Sequence, residues 1–240
     1  MADLSRSVNN RKAWFRVHRQ KLRILLDKLF DTLFGIDTVT DTMTYARQES
    51  FFRDQKVNGP VSYLLLYKYI DRRQFKPSSD VFVDVGCGHG RVLCYIARRK
   101  LHKVVGFEIS QEFAERANSN ATKLRARKSA IKVHVGDAIH CDYVDGTIFF
   151  FGDPFGHQTM KLVLAKIAES LAVRQRRVCC IFWLPSYVDP RVVEAIVSSG
   201  WLIHRETRKA FYSPMRAEYW DYNPESGIGT GIQIRGKQFR

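Results

Sequence analysis

The stretch Val81-Phe82-Val83-Asp84-Val85-Gly86-Cys87-Gly88-His89-Gly90-Arg91-Val92-Leu93 decides how the chain is read. Val81, Phe82 and Val83 form a short apolar run, as in a strand covered on both faces. Gly86, Gly88 and Gly90 then admit positive φ and let a ligand come close to the backbone. Val92, Leu93, Ile96 and Ala97 recur at helical spacing, so a helix follows with its amides toward the loop. Strand, glycine loop and helix in this order predict a cofactor site at the carboxyl edge of a parallel sheet. The third glycine follows the second too closely for the dinucleotide fingerprint, which needs a wider gap.

Downstream, the same alternation repeats. Val104-Val105-Gly106-Phe107 is a second apolar strand ending in the acid Glu108, and a carboxylate there can accept hydrogen bonds from a ribose diol. Ser110 suits the N-cap of a helix that turns Phe113, Ala117, Ala121 and Leu124 inward. Ile131-Lys132-Val133-His134-Val135 alternates apolar and basic residues, the pattern of an edge strand. Thr147 to Phe151 and Val178 to Trp183 read as buried strands, separated by a helix with Met160, Leu164, Ile167 and Leu171 inward. Asp189-Pro190 opens another helix with Val192, Val193, Ile196 and Val197 inward, and residues 201–206 and 216–222 read as a final antiparallel pair.

The Asp84-x-Gly-x-Gly-x-Gly pattern resembles the first motif of class I S-adenosylmethionine-dependent methyltransferases. A second block, Phe30-Asp31 followed by Phe34-Gly35-Ile36-Asp37-Thr38, resembles one found in a bacterial group of these enzymes. The resemblance covers roughly residues 25 to 185 and implies an α/β, Rossmann-like three-layer sandwich. Its sheet would be seven-stranded and mostly parallel, with an N-terminal helical extension. It implies S-adenosyl-L-methionine as cofactor, held by Asp84, Gly86, Cys87, Gly88, Gly90, Glu108, Ile109, Asp137, Ala138 and Asp153. Glu108 would take the ribose and Asp137 the adenine amino group. Asp153-Pro154-Phe155, at the end of the fourth strand, would face the methyl group and act on the acceptor. Asp153 offers acceptor oxygens, Pro154 a carbonyl without a donor, and Phe155 an aromatic face. Methyltransferases of adenine or cytosine amines carry a second proline here, and this chain does not, which argues against base methylation. His89 and His157 are weaker candidates for a proton acceptor.

The expected organisation is an N-terminal helical extension over residues 1–75, a catalytic domain over 76–222 and a flexible tail over 223–240. The 240 residues are 45% hydrophobic, enough for one sizeable core, and the formal net charge of +15 favours acidic partners. The five cysteines show no metal spacing, no apolar run is long enough to span a bilayer, and no signal peptide is evident. These features predict a cytoplasmic protein without a metal site, peripheral at a membrane surface if its basic helix binds lipid.

That helix is read from Arg11 to Phe34, with Leu22, Leu25, Leu26, Leu29 and Leu33 along one face and Phe30 and Phe34 beside them. Three readings follow: packing on the catalytic domain with a solvated basic face, attachment to an anionic membrane, or a basic arm for nucleic acid. A second helix is expected from Pro60 to about Arg73, burying Leu64, Leu65, Tyr67 and Ile70, with Tyr63 as a core residue or an active-site wall. Arg91 opposes the dipole of its own helix, so a compensating anion is expected: the cofactor carboxylate, a phosphate on the substrate, or Asp84. The competing readings are a nicotinamide oxidoreductase, which the glycine spacing disfavours, and a catalytically inactive module that binds nucleic acid or membrane through the basic helix.

Overall fold

The protein is described from a computed structural model over residues 21–39, 54, 60–70, 75–210 and 213–226. Helix α1 covers 21–34, and α2 follows at Tyr63–Ile70. Then come β1 (Val81–Val85), α3 (Arg91–Ala97), β2 (Lys103–Glu108), α4 (Gln111–Lys123) and β3 (Ile131–Val135). The chain continues with β4 (Ile148–Phe151), α5 (His157–Val173), β5 (Val178–Pro185), α6 (Pro190–Val197), β6 (Ile203–Lys209) and β7 (Met215–Tyr222).

The seven strands form one sheet in the order β3-β2-β1-β4-β5-β7-β6. The first five run parallel, and β7 is antiparallel to both β5 and β6. Strand order reverses beside β1, and in open α/β sheets the crevice at such a carboxyl end is the usual place for a ligand. Each face of the sheet carries its own core. Residues of β1 alternate between them: Phe82 joins Tyr63, Leu93 and Ala117 on one face, and Val81, Val83 and Val85 join Met160, Leu164 and Val192 on the other. The result is three layers, with α1 to α4 on one side and α5 and α6 on the other. The edge position of β3 is the one its alternating pattern predicts. The crossover from β3 to β4 carries only a 3-10 turn, Ala138–His140. Beneath it lies a cavity of about 450 Å3 whose lining includes Phe107, Lys132, His134, Gly136 and Asp137.

Three expectations need correction. Helix α1 does pack on the domain, but not through its leucines. Its inward residues are Asp27, Asp31 and Phe34, whereas Leu22, Leu25, Leu29 and Leu33 are 53–64% exposed. The part of this helix expected upstream, residues 11–20, lies outside the described residues, as does the tail beyond Ser226. Helix α2 starts at Tyr63, after Pro60, with Ser62 O accepting from Leu65 N and Leu66 N. It buries Leu66 and Tyr69 as well as Leu65 and Ile70, and leaves Leu64 and Tyr67 outward. On α6, Val192 and Ile196 are buried but Val197 is exposed, because the helix presents only one narrow face to the sheet.

Candidate cofactor and active site

Register alone assembles the site. Val85 pairs with Phe107 on one side and Phe151 on the other, and Glu108 pairs with Val135. The carboxyl ends of four strands therefore lie side by side. Along this edge the chain delivers Gly136-Asp137, then Glu108, then the glycine loop, then Asp153.

The glycine loop is held by its own backbone. Gly86 N and Cys87 N both donate to Phe107 O, and Gly90 N donates to Cys87 O at 2.9 Å. Gly86 and Gly90 both have φ of +79°, a region that side chains disfavour. A Cβ on Gly86 would come within 2.6 Å of Pro154 Cβ, so the first glycine and the strand-end proline are packed together. Glu108 braces the loop: its Oε2 accepts from Gly88 N at 2.8 Å and its Oε1 from Ser110 N at 3.1 Å. Burial raises its pKa, against the pull of those amides.

Asp84 is 2% exposed, and its Oδ2 has no hydrogen-bond partner among the described residues. Burial, and then the charge of Glu108, push its pKa well above the ordinary carboxylate range. An orphaned buried acid beside an open glycine loop calls for a cation or donor from outside the chain. S-adenosylmethionine carries an ammonium and a sulfonium, and Glu108 can accept from its ribose hydroxyls, so the donor set fits this cofactor. Cys87 is buried beside these acids; burial, then Asp84 and Glu108, raise its thiol well above the usual range, which favours the uncharged form. Ile109 and Ala138 are half-buried beside Glu108 and Asp137. Asp137 Oδ1 accepts from Ile139 N at 3.1 Å, capping the 3-10 turn.

Asp153 is buried, with a φ of +56°. A non-glycine residue in this region stores strain, and such strain gathers at functional sites. Pro154 remains half-exposed. The Phe155 ring, in contrast, is only 6% exposed and stands edge-on to Phe151 in the core. Its expected place as an aromatic face for the acceptor is therefore corrected: it anchors the turn that presents Asp153. His89 is equally inward, its ring edge-on to Phe113 at 4.6 Å. Burial, and then Arg116, push its pKa down to about 4, and its position is that of a loop-packing residue. His157 is the first residue of α5.

The partner of Arg91 is none of the three anions expected. Its Nη1 bonds Asp27 Oδ2 at 3.0 Å, its Nη2 lies 3.8 Å from Asp31 Oδ2, and its Nε donates to Thr38 Oγ1 at 2.6 Å. Asp31 also accepts from Thr38 N, Val39 N and the Tyr63 hydroxyl. The Phe30-to-Thr38 block is thus a clasp on the first turn of α3. Tyr63 is part of that clasp, its ring packed with Phe30, Phe34 and Tyr95. The signal was present in the sequence: two acids one helical turn apart on the face opposite the leucines.

Two further ties were not legible. Buried Asn120 on α4 donates to His89 O and to Asp37 O, both at 2.9 Å, joining the glycine loop to the N-terminal segment. Asp54 reaches the opposite wall. Its Oδ2 accepts from Gln158 N at 3.0 Å, its Oδ1 from the Thr159 hydroxyl, and its carbonyl from Gly156 N. It caps α5 directly after the Asp153 turn; the helix is legible from its apolar spacing, but a cap from a residue so distant in sequence is not. Among the described residues no group of acids, histidines or cysteines could hold a metal, and all five cysteines are free and buried.

Residues 82–173 match a family model described as a methyltransferase domain. The chain is 30% identical over 112 residues to a histone-lysine N-methyltransferase specific for lysine 79 of H3, from Dictyostelium discoideum, covering 44% of this chain and 6% of that protein. It is 31% identical over 111 residues to an uncharacterised RNA methyltransferase of Streptococcus agalactiae, covering 45% of this chain and 24% of the relative. The chain thus spans a quarter or less of the length of these curated relatives. Among solved structures, an RNA methyltransferase from Salinibacter ruber in complex with S-adenosyl-L-homocysteine superposes with a TM-score of 0.50 at 16% identity. That match covers 75% of this chain and 99% of the other, and shows a shared fold. Residues 82–173 are thus similar to a methyltransferase domain, and the chain shares the Rossmann-like fold of the S-adenosyl-L-homocysteine-bound structure.

Proposed function

We propose that the chain transfers the methyl group of S-adenosylmethionine to a nitrogen or oxygen of an acceptor, with a protein lysine, a glycan hydroxyl or a small molecule as the classes to test. The observation that carries this reading is the convergence of Asp84, Glu108 and Asp153 on one sheet edge, the first with an orphaned buried oxygen and the last in a strained turn. When bound, the cofactor supplies a methyl group already activated by its sulfonium. The protein's share is alignment, which supplies up to about 7–11 kcal/mol in favourable systems.

In this reading Asp84, Gly86, Cys87, Gly88, Gly90, Glu108, Ile109, Asp137 and Ala138 form the cofactor wall. Asp153 orients the acceptor and takes the proton that a neutral amine or hydroxyl loses. Pro154 holds that turn against Gly86, and Phe155 holds it against the core. The clasp on Arg91 makes the N-terminal segment a wall of the same site, as in the bacterial group whose Phe-Gly-Ile-Asp-Thr block it resembles. A lysine amine is the first acceptor to test, because one relative is named for methylating a histone lysine and the second proline typical of base methylation is missing.

Calorimetry with S-adenosylmethionine tests the cofactor wall. One-to-one binding that Glu108→Ala weakens tenfold or more supports it. A labelled-methyl screen of lysate fractions then reads the acceptor, with Asp153→Asn expected to lower turnover while leaving cofactor affinity within about twofold. Absence of binding by the wild type would overturn the enzymatic reading.

A further inference from the structure

Helix α1 is built inside out. Its two acids, Asp27 and Asp31, face the domain and are consumed by Arg91, Tyr63 and Thr38. Leu22, Leu25, Leu29 and Leu33, by contrast, are 56%, 64%, 53% and 58% exposed. At 100° per residue these four leucines fall within one stripe, on the side away from Asp27 and Asp31. Lys21 and Lys28, both exposed, lie along one flank of the stripe. At its carboxyl end Arg125 ties on, its backbone N donating to Phe34 O at 2.8 Å and its guanidinium to Thr32 O. Exposed Lys123, Arg127 and Lys128 come from the same stretch. The helix thus offers an apolar ridge with a basic surround, and neither of its acids reaches the surface.

We infer that this face docks on an anionic lipid surface, with the leucines in the acyl boundary and the lysines and arginines at the headgroups. The pattern is that of an interfacial helix, with a leucine face bordered by cations. Nucleic acid accounts for the cations but gives no reason for an outward leucine ridge, since phosphate contacts come from polar and basic side chains. A second copy accounts for the leucines but would set like-charged flanks against each other. No described helix is long and apolar enough to cross a membrane, so the contact is with the surface. The ridge stands apart from the cofactor wall, and the inference does not depend on the acceptor.

The test uses the full chain in sedimentation with two sets of vesicles, one of phosphatidylcholine alone and one with phosphatidylglycerol added to a third. Binding to the anionic vesicles should exceed binding to the neutral ones at least tenfold and fall with salt. Replacing Leu25 and Leu29 together by glutamate should abolish it while leaving the unfolding midpoint and cofactor affinity unchanged, because the clasp is on the opposite face. Lys21→Glu with Lys28→Glu should weaken it several-fold. Three results would overturn the inference: no anionic vesicle binding by the wild type; leucine variants that bind as the wild type does; or a dimer in sedimentation velocity that the leucine variants dissolve without vesicle binding having been seen. Salt-sensitive capture of RNA in place of vesicles would likewise transfer the face to nucleic acid.

Discussion

Two buried ionisable groups flank the glycine loop, and they are treated in opposite ways. Arg91, on its far side, is 3% exposed and meets two carboxylates, a hydroxyl and a carbonyl. Asp84, on its near side, is 2% exposed, and its Oδ2 finds no partner among the described residues. A buried charge without a partner is costly. Arg91 has its counter-charges, although its Nη2 makes no hydrogen bond, whereas Asp84 has no cation beside it among the described residues. The completed pair holds the loop against the N-terminal helix. The other leaves a buried acid at the glycine loop, where the proposed cofactor would sit.

The largest expected effect breaks the completed pair. Arg91→Met leaves Asp27 and Asp31 buried without their cation and should cost about 3–5 kcal/mol in urea unfolding. If the midpoint hardly moves, the clasp is not structural and the contrast collapses. Gly86→Ala attacks the loop between the two charges, forcing a Cβ toward Pro154 at an unfavourable φ. A loss of about 1–3 kcal/mol is expected, together with weaker cofactor binding.

The open charge should answer differently. Asp84→Asn is expected to leave the unliganded unfolding midpoint unchanged or higher, since it removes an unpaired acid, while lowering cofactor affinity at least tenfold. A pH series sharpens this. The pKa of Asp84 is raised in the folded state by burial and then by Glu108, so its contribution to stability is greatest at low pH and is lost as pH rises through the raised value. Affinity for a cationic cofactor should run the other way and grow as Asp84 ionises. Opposite pH slopes for unliganded stability and for cofactor binding, both flattened in Asp84→Asn, are the expected signature; parallel slopes would remove Asp84 from the site. The smallest effect is at the far wall. Asp54→Ala removes the cap of α5 and should cost about 1 kcal/mol, read as a shift in unfolding midpoint with cofactor affinity nearly unchanged.

Much of the edge that carries the candidate site was legible in the sequence. Strand periods and turn residues are local signals, so Asp84, the three glycines, Glu108, Asp137 and Asp153 could each be placed at a strand end, and parallel register did the rest. The Phe155 ring was misplaced because a residue's position after a strand does not say whether its side chain turns toward the crevice or the core.

By itself, the sequence determined the order of strands and helices, the glycine loop and the acids that tip the strands, because backbone conformation and hydrophobic period are set by neighbours along the chain. Only the tertiary structure decided which acids would meet Arg91, and that the leucines of α1 would face outward. Both outcomes turn on which face of a helix is buried. An amphipathic pattern shows that a helix has two faces, but here the burial of Asp27 and Asp31 goes with a cation distant in sequence, Arg91, 64 residues beyond Asp27, whose desolvation that pairing offsets.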